Sequence, residues 1–463
     1  MSGVSLLIAF VIAIAVMIFM ISKLKIHPFL AILAVSFVLG IIGGIPLNDV
    51  KADGEVVKKG IATVIGAGFA GTFTSIGIVI IFGTIVGSLL ERTGAAIKLA
   101  DMVVKVVGPK HPVLAIQLMG WVVSIPVFCD SGFVILNPIR KAMVKLTGAS
   151  SVAMTVGLSS GLYASHVFIP PTPGPIAAAN TLGVGNELLL VMGLGVLASI
   201  PALIGAYFYA NYIGKKVTAE DDVNSDEIVK TYEEIVASYG TMPGGFASLA
   251  PIIVPVLLMA MSNIAAILKW TGAPNMIFRF LGTPIIALAV GMLFGIGLLV
   301  QRKKGSELYS IIDDCLKTSG PILFVTAAGG VLGTVIANTN LVTFIADNAT
   351  VFEKIGIFFP FLLAAILKTA QGSSTVAITT SAGIVAPLLS VLGFSGSVGS
   401  ALVVMAIGAG AMTVSHANDS YFWVVTNFGA LTPQDGYKTQ TTVTLIEGLC
   451  GILGVWLMSL VLL

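Results

Sequence analysis

Residues 4–21, VSLLIAFVIAIAVMIFMI, form a continuous apolar run that contains no charged side chain. Similar runs recur along the 463 residues, of which 56% are hydrophobic and 10% are charged. Soluble domains carry roughly 25% charged residues. A membrane-spanning helix needs about 20 mostly apolar residues, whereas membrane strands alternate polar and apolar positions. The sequence therefore predicts an all-α polytopic membrane protein, with length for on the order of a dozen spans.

Charge and cysteine content exclude several functional classes. The formal net charge of +2 is too small for a nucleic-acid-binding surface. Cys129, Cys315 and Cys450 are isolated in apolar surroundings, so neither a disulfide framework nor a cysteine metal site is predicted. No cofactor is expected, and the surrounding partner is membrane lipid. The first apolar run lacks a preceding basic residue and a following cleavage site, which favours a retained helix over a signal peptide.

One hydrophilic stretch, residues 214–240, divides the apolar chain nearly in half and carries seven acidic residues. Many secondary transporters consist of two inverted copies of one unit. We therefore predict a first transmembrane repeat at residues 1–213, a hydrophilic cytoplasmic linker at 214–245 and a second transmembrane repeat at 246–463. The two repeats are expected to have inverted topology and to contain re-entrant hairpins and broken helices.

Colinear matches between the halves support this division. Residues of the same type recur at a constant separation of 246 positions, where Gly83, Gly87, Thr93 and Asp101 correspond to Gly329, Gly333, Thr339 and Asp347. Basic residues at 23–25 and 302–304 follow apolar runs and are cytoplasmic by the positive-inside rule. The lysines within residues 51–59 favour the opposite orientation.

Ionisable residues inside apolar segments are functional candidates, because each costs about 2.5–3.5 kcal/mol on insertion scales. Histidine and partly buried aspartate can both titrate near neutral pH, which suits them to carry protons. We assign proton coupling to Asp130, His166 and Asp419. For Lys368 two interpretations remain open, namely that it balances a carboxylate or that it extends toward the membrane interface.

Two polar interruptions have the pattern expected of hairpin tips. Residues 125–133, IPVFCDSGF, combine a proline with a short polar segment, and residues 368–375, KTAQGSST, interrupt the second half similarly. Helix N-termini and hydroxyl groups at such tips are suited to binding a carboxylate. In the alternative interpretation, the hydroxyls bond to carbonyls within ordinary spans. We assign substrate binding to the tips, through Ser131, Gly132, Ser373, Ser374 and Thr375.

Two helix breaks follow Ser-His pairs. Residues 165–175, SHVFIPPTPGP, hold four prolines that cannot continue an α-helix, and residues 415–420, SHANDS, form the counterpart. Carbonyl groups freed at membrane depth must contact protein or water, so the proline-rich break should line the transport cavity. Substrate binding is assigned here to Thr172, His416 and Asn418. Thr339 and Asn340 are further candidates, although a capped helix end accounts for them equally.

These motifs resemble those of the gluconate:proton symporter family, the gluconate permeases of the ion transporter superfamily. The resemblance rests on PVFCDSGFV at 126–134, HVFIPPTPGP at 166–175 and SHANDS at 415–420, and it extends over essentially the whole chain. It implies proton-coupled uptake of gluconate, a related sugar acid or a small hydroxy-carboxylate across a bacterial inner membrane. It also implies an inverted-repeat fold with paired hairpins and, by analogy, a homodimer. D-serine or glycerate is the alternative substrate within this family.

Two other functional classes share some of these residues with an anion transporter. A cation/proton antiporter or channel would share Asp130 but would not need two Ser-rich tips. A membrane enzyme would use Ser131, His166 and Asp419 as nucleophile, base and orienting acid. Neither a nucleophile elbow nor an HExxH motif accompanies those residues. The sequence therefore predicts a transporter rather than an enzyme.

Overall fold

The structure, a computed structural model, describes residues 3–53, 55–108, 110–219, 234, 242–341, 344, 355–416 and 419–463. The predicted linker at 214–245 lies largely outside these residues, and so do Asn418 and Asp347. Helices account for most of the described chain, as the long apolar runs predict. A small antiparallel hairpin between the second and third helices is the exception. All its positions are exposed, so it contributes nothing to the core.

The first half contains nine α-helices among its described residues. Prolines begin three of them, at a position where the missing amide proton costs no helical hydrogen bond. In chain order the elements are α1 (Val4–Ser22), α2 (Pro28–Ile42), β1 (Val50–Ala52), β2 (Glu55–Lys58), α3 (Ile61–Thr93), α4 (Ala95–Val107), α5 (Pro112–Val123), α6 (Cys129–Thr147), α7 (Ser151–Phe168), α8 (Pro173–Thr181) and α9 (Leu188–Ile213).

The second half continues the helical architecture. Within its described residues the helices are α10 (Gly245–Ile267), α11 (Gly272–Leu281), α12 (Pro284–Gln301), α13 (Leu308–Ala337), α14 (Phe358–Gln371), α15 (Ser374–Val385), α16 (Gly396–Met412), α17 (Ser420–Phe428), α18 (Pro433–Gly436) and α19 (Thr442–Leu462). A π-helical segment, Tyr437–Thr441, joins α18 to α19.

Eight helical segments of the described chain are long and apolar enough to cross a membrane, fewer than the sequence has length for. Five shorter apolar helices account for part of the difference. Four of these five are α5, α14, α15 and α16, which belong to hairpins or to a broken helix. Apolar length is thus used for elements that stop within the molecule as well as for full crossings.

Two helical hairpins and two broken helices form where the sequence predicts polar interruptions. Residues 124–128 connect α5 to α6, while α14 and α15 are joined at Gly372, whose φ of 85° favours glycine. The first break separates α7 from α8 at residues 169–172, because the prolines cannot continue the helix. The second break lies between α16 and α17.

The two longest helices pack so closely against the hairpins that their backbones are in contact. Helix α3 has 33 residues and α13 has 30, and they pack side by side. A Cβ atom at Gly87 would collide with the carbonyl oxygen of Pro126 in the first hairpin. One at Gly333 would collide with the carbonyl oxygen of Gly383 in the second. Glycine is therefore required at both positions, which are a matched pair in the sequence. The inverted relation of the halves stays a prediction.

Basic residues gather where the end of α3 meets the start of α13. The Nζ atom of Lys304 donates to the carbonyl oxygen of Arg92 at 3.0 Å. The guanidinium of Arg92 lies 3.9 Å from a carboxylate oxygen of Asp314. By the positive-inside rule this end of the bundle is predicted to be cytoplasmic.

Candidate functional site

Both hairpin tips and the second break meet helix α7 around one polar cavity of about 270 Å³. Its position matters because four segments that are distant in sequence each contribute a wall. The lining residues are Phe128, Cys129 and Asp130 of the first tip, Tyr163 and His166 of α7, Gly372, Ser373, Ser374 and Thr375 of the second tip, and Asp419, Ser420 and Tyr421 of the second break.

A buried ion pair lies beside this cavity, and its carboxylate member, Asp419, is one of the lining residues. The Nζ atom of Lys368 lies 2.5 Å from Oδ2 of Asp419, and their side chains are 0% and 6% exposed. Lys368 also donates to the carbonyl oxygen of Gly372 at 2.6 Å, which ties the pair to the second tip. Of the two interpretations that the sequence leaves open for Lys368, the structure shows the one in which it balances a carboxylate.

Asp419 is held by three donors. Its Oδ2 atom accepts from Ser415 Oγ at 2.5 Å as well as from Lys368, and its Oδ1 atom accepts from the Tyr421 amide at 3.1 Å. The last contact caps the N-terminus of α17, where negative charge is favourable. Asp419 therefore joins the ion pair, the second break and the start of α17 at one carboxylate.

Asp130 connects the first tip to the second break. It lies in the first turn of α6, and its Oδ1 atom accepts from Ser420 Oγ at 3.2 Å. Its Oδ2 atom is 3.6 Å from Cys129 Sγ. With Asp419, it places two carboxyl groups on one small cavity, so an anion can bind there only if cations or protons offset their charge.

The two sequence-predicted histidines occupy different environments. His166 is 4% exposed and lines the cavity. The centroid of its ring lies 6.4 Å from that of Tyr163 and 5.9 Å from that of Phe128. Within the described part of the chain its Nδ1 atom has no hydrogen-bond partner. His416 is partly exposed, and its Nε2 atom lies 3.0 Å from the carbonyl oxygen of Thr369 on α14. Only His166 is a wall residue of the cavity.

Helix N-termini point into this region from both tips. Helix α6 begins after Phe128, and no side chain caps its first amides. At α15, Ser373 Oγ accepts from the Val376 amide at 3.3 Å, and Ser374 and Thr375 occupy the first turn. Two helix ends with partial positive charge and several hydroxyl groups suit the binding of a carboxylate.

Other predicted residues lie apart from the cavity. Ser131 faces a neighbouring cavity, and Gly132 packs against Leu162. The hydroxyl of Thr172 donates to the Ile169 carbonyl at 2.7 Å. At the end of α13, Thr339 is buried and donates to the Ile336 carbonyl at 2.8 Å, whereas Asn340 is exposed. Asn418 belongs to the residues that the structure does not describe.

Several residues that line the cavity were not predicted from the sequence, although the sequence contains a pattern that indicates some of them. Tyr163 precedes His166 by three positions, so the two share one face of α7. Tyr421 and Ser420 directly follow the assigned Asp419. By contrast, no spacing rule relates Phe128 to the distant His166, and their contact follows only from the way the hairpin packs against α7.

Two further cavities flank the contact between α3 and α13, toward opposite ends of these helices. They measure about 150 Å³ and 310 Å³. Helices α3 and α13 run antiparallel here, since Arg92 meets Asp314 at one end and Thr72 meets Gly330 nearer the other. The helix positions that line the two cavities are separated by 246 residues, as Thr84, Gly87, Ser88 and Glu91 correspond to Gly330, Gly333, Thr334 and Ala337.

The fold is similar to that of a solved membrane transporter. The YdaH transporter of Alcanivorax borkumensis aligns with a TM-score of 0.62, covering 93% of this chain and 95% of that chain at 17% sequence identity. The chain belongs to the GntP family of permeases, whose family model matches residues 5–461.

Two relatives are similar to the chain over nearly its full length. The inner membrane permease YgbN of Escherichia coli is 30% identical over 98% of this chain and 99% of its own. A gluconate permease of Zymomonas mobilis is 28% identical over 98% of this chain and 97% of its own. The chain is accordingly a multi-pass inner-membrane permease, and the membrane-enzyme interpretation no longer applies.

Proposed function

We propose that this permease takes up gluconate or a closely related sugar acid together with protons. The observation that carries the proposal is the buried Lys368–Asp419 pair beside a polar cavity between the two hairpin tips. A similar chain from Zymomonas mobilis is named a gluconate permease, which supports a sugar acid as the substrate class. A small anion needs a cation in such a site, and Lys368 supplies one.

The cavity wall also suits a polyhydroxylated chain. Hydroxyl groups of Ser373, Ser374, Thr375 and Ser420 line it, and each can both donate and accept a hydrogen bond. The carboxylate end of a sugar acid would bind near Lys368 and the N-terminus of α15. Its hydroxyl groups would bind the remaining polar wall, including Asp130.

Protons and substrate are coupled because the Asp419 carboxylate can either bind a proton or pair with Lys368. A proton that binds Asp419 removes its negative charge and weakens its attraction for Lys368. The ammonium group is then available to the substrate carboxylate, and binding of the anion becomes favourable. When the substrate leaves, Asp419 releases the proton and pairs with Lys368 again, which spares the empty carrier an uncompensated buried charge. Asp130 faces the same cavity and is the second candidate for a proton.

Uptake by purified protein in lipid vesicles tests this proposal. We expect labelled gluconate to accumulate inside when the outside is acidic, and a protonophore should abolish the accumulation. Unlabelled D-serine, glycerate and other sugar acids serve as competitors. Accumulation that survives the protonophore would contradict proton coupling. Accumulation of labelled D-serine or glycerate without accumulation of labelled gluconate would assign a different substrate.

A further inference from the structure

The last helix buries a carboxyl group that the proposed transport cycle does not use. Glu447 is 0% exposed and lies on the packed face of α19. Neither of its carboxylate oxygens has a hydrogen-bond partner within the described part of the chain. An ionised carboxylate without a partner is among the costliest groups to bury, whereas the protonated acid is neutral.

No cation faces Glu447 from the helices packed against it. Helices α7, α9 and α16 contain no lysine or arginine. Their titratable residues are Tyr163 and His166 on α7 and three tyrosines on α9. The other titratable groups near Glu447 are the thiol of Cys450 on α19 and the phenol of Tyr421 on α17, and neither is a cation. In the π-helical segment, Lys438 is exposed and paired with Asp435 at 3.0 Å.

Glu447 lies one turn beyond residues that hold the second break. Thr444 Oγ1 accepts from the Ser415 amide at 2.9 Å, and Thr441 Oγ1 donates to the Ser415 carbonyl at 2.6 Å. Ser415 Oγ in turn donates to Asp419 at 2.5 Å. A continuous series of hydrogen bonds therefore connects the cavity ion pair to the turn of α19 that precedes Glu447.

Other unsatisfied polar atoms lie on α7 and on the π-helical segment that precedes α19. Gln440 Oε1 accepts from Ser159 Oγ at 2.5 Å, but its Nε2 atom has no partner in the described structure. Thr155, one turn before Ser159 on α7, also has a buried hydroxyl without a partner there. Buried polar groups are normally hydrogen-bonded. Thr155, Gln440 and Glu447 therefore each have a buried polar atom that can still bind a proton or a water molecule.

We propose that Glu447 is a second proton-binding residue of this carrier, outside the substrate cavity and coupled to it through Ser415. In the conformation described here Glu447 holds its proton. A rearrangement of the second break moves Ser415 relative to α19 and changes the surroundings of Glu447, and the proton is then released. The role of Glu447 in transport rests on the proton coupling proposed above. The protonation of Glu447 in this conformation does not depend on that proposal.

Infrared spectroscopy in lipid tests the bound proton without any substrate. At neutral pH we expect the wild type to show absorption from a protonated carboxyl group that Glu447→Gln lacks. Glu55→Gln, in the exposed strand β2, is the matched control and should leave this absorption unchanged. Identical spectra for the wild type and Glu447→Gln would overturn the proposal.

Vesicle assays test the role in transport. Glu447→Gln should retain exchange of labelled for unlabelled gluconate, while proton-driven accumulation should fall by about tenfold, within the range of typical coupling between sites. Glu447→Asp should restore part of the accumulation, because it keeps a titratable group. Normal accumulation by Glu447→Gln would reduce Glu447 to a structural residue. If the wild type itself fails to accumulate gluconate, the proposed function fails, and the infrared result still decides whether Glu447 holds a proton.

Discussion

At the scale of single residues, Lys368 is a buried charge whose stability depends on its partners. Its ammonium group is fully buried and bonds to Asp419 and to the Gly372 carbonyl. Removing one partner of a buried pair leaves the other charge uncompensated and costs about 3–5 kcal/mol. The pair thus makes the stability of the fold depend on the same two groups that we assign to binding and coupling.

This dependence predicts a non-additive pattern of stability. Lys368→Gln and Asp419→Asn should each lower the melting temperature in detergent strongly, whereas the double variant should lose less than either single variant. Lys317 pairs with Asp313 on the surface, and exposed pairs contribute only about 0–1 kcal/mol. Lys317→Gln is therefore the control and should leave the melting temperature nearly unchanged. Additive losses in the double variant would show that the two charges do not depend on each other.

Asp130 should be needed for accumulation but not for binding. Asp130→Asn keeps the acceptor for Ser420 Oγ and removes the titratable group. We expect counterflow exchange of gluconate to persist while proton-driven accumulation is lost. Ser420→Ala removes the same hydrogen bond but no titratable group, so it should still accumulate gluconate, with a weaker apparent affinity because Ser420 also lines the cavity. Full accumulation by Asp130→Asn would exclude Asp130 from proton coupling.

At the scale of elements, the polar interruptions were predictable and their partners were not. The prolines at 170–175 predict the end of α7, and the polar segment after Pro126 predicts a hairpin tip. The contact of Lys368 with Asp419 could not be predicted, because it joins residues on α14 and in the second break through packing alone. Glu447 could have been predicted as a candidate, because it is the only charged residue in the apolar helix α19.

Backbone contact between α13 and the second hairpin gives a test at this scale. Gly333→Leu places a side chain against the carbonyl of Gly383, and such overpacking costs about 1–3 kcal/mol or more. Folded yield and melting temperature should fall. Gly297 is also helical, but a Cβ there meets open space, so Gly297→Leu should be tolerated. Equal tolerance of both changes would mean that α13 and α15 are not in backbone contact.

At the scale of the whole molecule, the two cavities beside α3 and α13 support the predicted inverted repeats. They are lined by matched residues yet lie toward opposite ends of the bundle. A transporter built from inverted copies would use such a pair as openings to its two sides. Their residues differ chemically, since the cavity near Arg92 has the acids Glu91 and Asp314 and the other is lined by glycine, alanine, proline and threonine.

Matched cysteine variants test this arrangement. In a background without the native cysteines, Ser88→Cys should react with a membrane-impermeant thiol reagent only from the cytoplasmic side. Thr334→Cys should react only from the other side. Gluconate should change the two rates in opposite directions, because opening one side closes the other. Labelling of both positions from a single side would contradict inverted repeats.

The length of α3 has a consequence for the surrounding bilayer. At about 1.5 Å per residue, its 33 residues extend for about 50 Å, whereas the hydrocarbon core is about 30 Å thick. A helix that is apolar over most of this length fits the bilayer by tilting, by bending or by thickening the lipid around it, and α13, which packs beside α3, is subject to the same mismatch. Hydrophobic mismatch then becomes a variable of transport, since a thicker bilayer favours more upright helices. We expect initial uptake rates to change across a series of vesicles of increasing acyl-chain length, with an optimum at an intermediate thickness.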